Sequence, residues 1–157
     1  MKNILIITLS LTFLGCSDDL KILEERIKSQ AEKNNTEMSA LEIKKTALYL
    51  KGWGEEDFYQ EAIDKFLEED KDNFPDEVTV LFTGSSSIRF WENLEEDMRP
   101  LKVLNRGFGG AHIAHVNFHF KDVVEQYAPQ AIVFFCGTND ITALKTPEET
   151  IRDFKIF

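Results

Sequence analysis

Residues 78–91 read Val-Thr-Val-Leu-Phe-Thr-Gly-Ser-Ser-Ser-Ile-Arg-Phe-Trp. Val78–Thr83 is a run of β-branched and apolar residues, the composition of a buried strand. Gly84, Ser85, Ser86 and Ser87 then break the run, and Ile88, Trp91 and Leu94 recur on one helical face. A strand, a tight turn and a helix place a hydroxyl at a helix N-terminus, where backbone N–H groups lack partners and favour an anion. Serine also caps helices in purely structural roles. This stretch alone therefore leaves both a cap and a nucleophile open.

The pattern repeats downstream. Lys102–Asn105 reads as a second strand and ends in Arg106-Gly107-Phe108-Gly109-Gly110. Three glycines in four positions allow close backbone approach and positive φ. Ile113, Val116, Phe120, Val123, Val124 and Tyr127 make a helical stripe. Gln130–Cys136 reads as a third buried strand, followed by Gly137-Thr138-Asn139-Asp140. Thr146-Pro147-Glu148-Glu149 has the form of a helix start, with Thr at the cap, Pro at N1 and Glu at N3. The back half is thus β-α-β-α-β-α, which predicts an α/β fold with a parallel sheet and right-handed crossovers. In such sheets ligands sit beyond the carboxyl ends of the strands. Ser86, Gly110 and Asn139 all fall just past those ends.

The chain has 157 residues, 43% hydrophobic and 29% charged, an ordinary globular mix for about one domain. Its net charge is −10. A chain this acidic lacks the basic footprint that nucleic acid requires. The acidity sits in front: residues 18–77 hold 18 acids and 9 bases, residues 78–157 hold 10 and 8. Glu68-Glu69-Asp70 and Glu95-Glu96-Asp97 read as solvated faces. Two cysteines make neither a disulfide framework nor a four-cysteine zinc site. Cys136 lies in the apolar third strand and reads as a core thiol.

Upstream, Leu20, Leu23, Ile27 and Ala31 are spaced as a thin amphipathic helix or a tether over residues 19–50. A cleaner helix is expected from Glu55, with Phe58, Ala62, Ile63, Phe66 and Leu67 on one face, ending at Asn73-Phe74-Pro75-Asp76. The chain opens with Met1-Lys2-Asn3 and runs apolar from Ile4 to Leu14. That is too short to span a bilayer core of about 30 Å, and has the order of a secretory leader. Phe13-Leu14-Gly15-Cys16 resembles the bacterial lipoprotein lipobox, in which the cysteine is acylated after cleavage. The resemblance implies a leader over residues 1–15 and lipid attachment at Cys16; a tether or helical segment is expected over 16–54 and a main domain over 55–157. It also implies an extracytoplasmic protein anchored to the membrane, in the outer membrane of a bacterium. Several acyl chains on one cysteine would hold it firmly.

Taken together, Gly84-Ser85-Ser86-Ser87-Ile88-Arg89-Phe90-Trp91, Asn105-Arg-Gly-Phe-Gly-Gly110 and Gly137-Thr138-Asn139-Asp140 resemble the three sequence blocks of the SGNH or GDSL hydrolases, in order and spacing. Ser85 stands where the family usually has Asp. The resemblance covers residues 55–157 and implies a three-layer α/β/α, flavodoxin-like fold. It implies Ser86 as nucleophile, with Ser85 and Ser87 as competitors. The N–H groups of Ser86 and Gly110 and the side-chain amide of Asn139 would form the oxyanion hole. Asn139 can donate without carrying charge, and one preorganised donor of this kind is typically worth about 3 kcal/mol in the transition state. The implied substrates are short acyl esters, acetylated carbohydrates or lysophospholipids, and the implied chemistry uses no metal or organic cofactor.

A serine needs an adjacent base. The family supplies it as Asp-x-x-His, which this sequence lacks. We therefore expect an incomplete version of a longer enzyme, with a sheet edge left open after the third strand. The alternative is a catalytically inactive, membrane-anchored binding protein on the same scaffold. His112, His115 and His119 are expected as a partly exposed polar stripe beside the core; a metal site, or His112 as a substitute base, is the less ordinary use of that spacing. Arg89 and Asp140 are expected near the site, as an ion pair or as substrate contacts. Phe90 and Trp91 read as packing residues.

Overall fold

The computed structural model describes residues 14–157, so the segment from Met1 to Phe13, which holds most of the expected leader, lies outside the described residues. The chain divides into two units, residues up to Lys51 and Gly52–Phe157. The first contains helix α1 (Leu14–Lys33) and most of α2 (Ala40–Trp53). Ser39 starts α2: its Oγ accepts from Glu42 N at 3.3 Å, while Glu42 Oε2 accepts from Ser39 N at 2.7 Å. This reciprocal box satisfies donors that the first turn leaves over. No helix among the described residues is long and apolar enough to cross a membrane.

The second unit is built on three parallel strands, β1 (Val80–Gly84), β2 (Val103–Gly107) and β3 (Ala131–Phe135), in the order β2-β1-β3. Val80 is level with Val103 and Ala131, and Gly84 with Gly107 and Phe135. All three carboxyl ends therefore lie at one edge. The β1–β2 connection runs to one side of β1 and the β2–β3 connection passes β1 to reach its other side, so the direction of winding reverses beside β1. That is the switch point at which α/β sheets form their crevice.

Strand alternation sends neighbouring residues of β1 to opposite faces. Leu81 packs in a cluster with Ile63 of α3 (Gln60–Asn73), Val116 of α6 (Ile113–Phe118) and Val123 of α7 (Phe120–Val123). Phe82 packs with Ile88 of α4 (Ser86–Arg89) and Leu94 of α5 (Leu94–Asp97). Helices thus cover both faces of the sheet, the expected α/β/α layering. Thr146 caps α9 (Pro147–Phe154) as its spacing predicts: its Oγ1 accepts from Glu149 N at 3.2 Å, and Glu149 Oε2 accepts from Thr146 N at 2.7 Å.

Four expectations need correction. The stripe beginning at Ile113 is not one helix: it breaks at His119 into α6, α7 and a 3-10 turn over Glu125–Tyr127. Phe58 precedes α3 and is half exposed rather than part of its buried face. β3 is largely exposed, because it has a strand neighbour on one side only among the described residues. Asp70 is buried, since Arg106 from β2 reaches it: Arg106 Nη2 donates to Asp70 Oδ1, Arg106 Nε donates to the Tyr127 hydroxyl at 2.8 Å, and that hydroxyl donates to Asp70 Oδ2. Burial, with the Asp70 hydrogen bond behind it, pushes the Tyr127 phenol up to about 12.

Candidate active site

The end of β1 turns sharply. Gly84 has φ +132°, and a Cβ there would lie 2.1 Å from the Phe135 carbonyl oxygen, so β1 and β3 meet closely only because this residue is glycine. The following N–H, of Ser85, donates to that same Phe135 carbonyl at 3.0 Å. Phe108 N donates to Gly84 O at 3.1 Å. Asn105 Nδ2 donates to Ile88 O at 2.7 Å, and Asn105 Oδ1 accepts from Gly107 N at 2.9 Å. The first block is therefore hydrogen-bonded to the second and to the strand preceding the third.

The second and third blocks are tied in turn. Asn139, in α8 (Thr138–Thr142), donates one Nδ2 hydrogen to Ala111 O at 2.9 Å. A carboxamide nitrogen has two hydrogens, so one remains. Cys136 Sγ also donates to Ala111 O, at 3.2 Å. Burial, and secondarily the Asp140 charge, push the Cys136 thiol up to about 12, which makes it inert as a nucleophile. Asp140 is fully buried and accepts from Ile113 N at 3.1 Å through Oδ2.

Within this frame the three serines differ. Ser85 is the N-cap of α4 and is buried, yet its hydroxyl makes no capping bond. Ser87 is exposed, and Ser86, the first residue of α4, is half buried. No described residue hydrogen-bonds the Ser86 hydroxyl. Its N–H and that of Gly110 are likewise without protein partners among the described residues. The structural role open to a serine here, capping, does not consume the Ser86 hydroxyl.

Gly110 is held by two residues the sequence did not single out. Trp53 Nε1 donates to Gly110 O at 3.1 Å and lies 2.9 Å from the Tyr59 hydroxyl. Gly110 has φ +85°, and a Cβ on it would meet that hydroxyl at 2.3 Å. The position thus excludes a side chain on both conformational and steric grounds. Neither Trp53 nor Tyr59 belongs to a motif, and both act from segments far away in sequence, so nothing local marks them.

The histidines contradict the expected exposed stripe. His112, His115 and His119 are 1%, 0% and 2% exposed. The helix turn that carries them packs inward: Trp53 lies against His112 at 4.5 Å between ring centroids, and His112 stacks on His115 at 4.8 Å. His115 Nδ1 accepts from His112 N at 2.9 Å, which requires that nitrogen to be unprotonated. Burial holds His112 and His115 down at about 4; the Lys145 cation adds to this at His112, and His112 itself does so at His115. Burial also lowers His119. No cluster of potential metal ligands occurs among the described residues. The expected pairing of Arg89 with Asp140 is also corrected: Asp140 is bonded to Lys145 at 2.8 Å, and Lys145 reaches Asp153 at 2.9 Å. Burial alone would lower Lys145, but these two carboxylates outweigh it and hold the amine above its ordinary value. The Cys16 side chain is outside what the structure describes.

Known proteins resemble both the sequence and the fold. Over 89 residues the chain is 34% identical to platelet-activating factor acetylhydrolase IB subunit alpha2 of Rattus norvegicus, Bos taurus and Homo sapiens. The chain is homologous to an acetylhydrolase subunit. The matched stretch is 54% of this chain and 38% of those proteins, so the chain spans little more than a third of their length. No family model matches. A solved structure from Streptococcus pneumonia, of a candidate platelet activating factor protein, superposes with TM-score 0.53 and 19% identity, over 76% of this chain and 53% of its own. That likeness supports the α/β fold.

Proposed function

We propose that the chain carries the nucleophile and oxyanion-binding half of a carboxylic ester hydrolase of the SGNH type, acting on short acyl esters such as acetates of carbohydrates or of lipid-like alcohols. The observation that carries the reading is the cross-bonding of three strand-end segments at one sheet edge, with the Ser86 hydroxyl free of any capping role. The acetylhydrolase relatives favour a short acyl group.

In this reading Ser86 Oγ attacks the ester carbonyl carbon, and its proton passes to a general base. The carbonyl oxygen becomes an oxyanion, which the N–H groups of Ser86 and Gly110 and the second Nδ2 hydrogen of Asn139 stabilise. The tetrahedral intermediate expels the alcohol, and water then releases the acid from the acyl-serine. No described histidine suits the base role: His115 already uses Nδ1 as an acceptor, and all three rings are buried. We assign the base to the part of the relatives that this chain does not span. It also places the protein at a membrane through an acylated Cys16.

The test is hydrolysis of p-nitrophenyl acetate by the product of the whole reading frame. Ser86→Ala is expected to abolish turnover, whereas Ser87→Ala keeps it, and Asn139→Ala lowers kcat by about 10²–10³-fold. Full activity in Ser86→Ala overturns the assignment. A wild-type protein with no turnover favours the inactive binding protein instead. For the anchor, Cys16→Ser is expected to shift the protein from the membrane to the soluble fraction, and unchanged partitioning overturns it.

A further inference from the structure

Arg89 is a cation beside Ser86 that takes no part in the ester chemistry proposed for the site. It closes α4, three residues after Ser86, and its backbone N–H donates to Ser85 O at 3.1 Å. Its side chain runs along the glycines of the second block. A Cβ on Gly109 would lie 3.0 Å from Arg89 Nη1 and 3.4 Å from Arg89 Cδ. The guanidinium thus rests beside the residue preceding Gly110, whose N–H is a proposed oxyanion donor. The guanidinium carbon also sits 5.4 Å from the centre of the Phe90 ring.

In a chain with 28 acidic and 18 basic residues, an arginine here would ordinarily be neutralised. It is not. Asp140 is taken by Lys145, Asp70 by Arg106, and no carboxylate forms an ion pair with Arg89 among the described residues. Arg89 is exposed at the junction of two grooves. The one beside Gly109 is lined by Tyr59, Phe66, Lys65 and Glu69; Lys65 is paired with Glu61 at 3.1 Å, so Arg89 is the cation this groove offers, against the single carboxylate of Glu69. The other holds Arg99 against Glu92, Glu95 and Glu96 and is net negative. Anion binding therefore belongs to the first. A guanidinium offers a planar pair of donors that fits a carboxylate, sulfonate or phosphate in bidentate fashion, while an ammonium acts as a point charge.

We propose that Arg89 is a specificity-determining residue: it selects esters that bear an anionic group close to the scissile bond. The inference deepens the reading of this site as an esterase and rests on it. The arrangement separates tasks, since the uncharged donors meet the transient oxyanion and Arg89 meets a permanent charge on the substrate.

Two measurements test this. The first needs no turnover: the 157-residue chain is labelled with ¹⁵N and titrated with methyl phosphate or benzoate. Saturable shifts are expected at the Arg89 Nε and at the Gly109 and Gly110 amides, weakening with added salt because the guanidinium is exposed. They are expected to vanish in Arg89→Ala and to return in part in Arg89→Lys. Absence of shifts, or equal shifts in Arg89→Ala, overturns the proposal. The second compares kcat/KM for 4-acetoxybenzoate and p-nitrophenyl acetate in the product of the whole reading frame. The ratio of the two is expected to fall about tenfold in Arg89→Ala, the effect of losing roughly one charge-assisted hydrogen bond, and further in Arg89→Glu. If both esters are hydrolysed and the ratio is unmoved, this proposal falls and the esterase reading stands. If neither is hydrolysed, the esterase reading falls and the titration still decides whether Arg89 binds anions.

Discussion

β2 and β3 are the two outer strands of one sheet, each five residues long and, among the described residues, each paired with β1 alone. β2 is closed by its own polar side chains. Asn105 bonds to α4, and Arg106 turns inward to Asp70 and Tyr127, with its guanidinium carbon 5.0 Å from the Phe66 ring centre. β3, Ala131-Ile-Val-Phe-Phe135, has no polar side chain to close it, and Ile132 and Val133 are 39% and 40% exposed. Near-continuous apolar strands belong to positions covered on both faces, and natural edges are normally blunted by charge or bulges. β3 therefore has an interior strand's composition at an edge position. The difference teaches that burial is a property of the neighbours a strand has, while polarity decides which edge can be left as one.

The largest expected effect breaks the closed edge. Asp70→Asn removes the charge facing a buried guanidinium, and loss of one partner from such a pair typically costs about 3–5 kcal/mol. Urea unfolding is expected to show a loss of that size, whereas Glu68→Gln, a few residues away in the same acidic run and exposed, stays within about 0.5 kcal/mol. Equal small effects would mean that the Asp70–Arg106–Tyr127 cluster does not hold β2 in place. Next in size is the contrast between strands. Leu81→Ala in β1, fully buried, is expected to cost about 2–5 kcal/mol. Val133→Ala in β3 is expected to cost under about 1 kcal/mol, since Val133 is already 40% exposed and its methyl groups lose only part of a full burial. A costly Val133→Ala would show that β3 is covered in solution.

These contrasts mark what the sequence could reveal. The three strands, their parallel order of appearance, the glycine turns and the Thr146 box were legible because each is a local pattern with a local cause: β-branched runs, positive φ, a reciprocal cap. Burial was not. Asp70 looks like its neighbours Glu68 and Glu69 until Arg106 reaches it from another strand. The histidines share a spacing with an exposed stripe, and it is distant aromatic residues, Trp53 over His112, Tyr59 over His115 and Phe108 over His119, that cover them. Ser86, Gly110 and Asn139 were legible as candidates because they follow strand ends. Which hydroxyl stays free of capping, and what clamps Gly110, depended on hydrogen bonds between distant segments. Arg89 could not be separated from Asp140 before the geometry showed Asp140 bonded to Lys145.

Acid is expected to probe the layer between the edges. His112 and His115 lie near 4 in the folded chain and near 6.5 when unfolded. Between those values the unfolded state binds more protons, so stability is complete above pH 6.5 and falls as the pH drops toward 4. The loss is on the order of 1–2 kcal/mol for each histidine by pH 5. Protonated His115 can no longer accept the His112 N–H, so hydrogen exchange is expected to quicken first in α6. Unchanged unfolding midpoints between pH 7 and pH 5 would show that the rings are not held neutral by burial.

The smallest effect sharpens the comparison at β3 itself. One face of that strand is covered: Phe134 stacks on Phe157 at 4.1 Å and faces Phe154 of α9 at 6.0 Å. Thr146 fixes where α9 begins, and replacing a threonine cap by alanine typically costs about 1 kcal/mol. In Thr146→Ala the first turn of α9 loses the acceptor of Glu149 N, so the helix frays from the end nearest α8. If α9 protects β3, exchange of the β3 amides is expected to rise several-fold in this variant while those of β2 stay constant, because β2 is closed by residues that do not touch α9. A uniform rise across both strands would mean the sheet opens as one body, and that the two edges, for all their difference in chemistry, share a single stability.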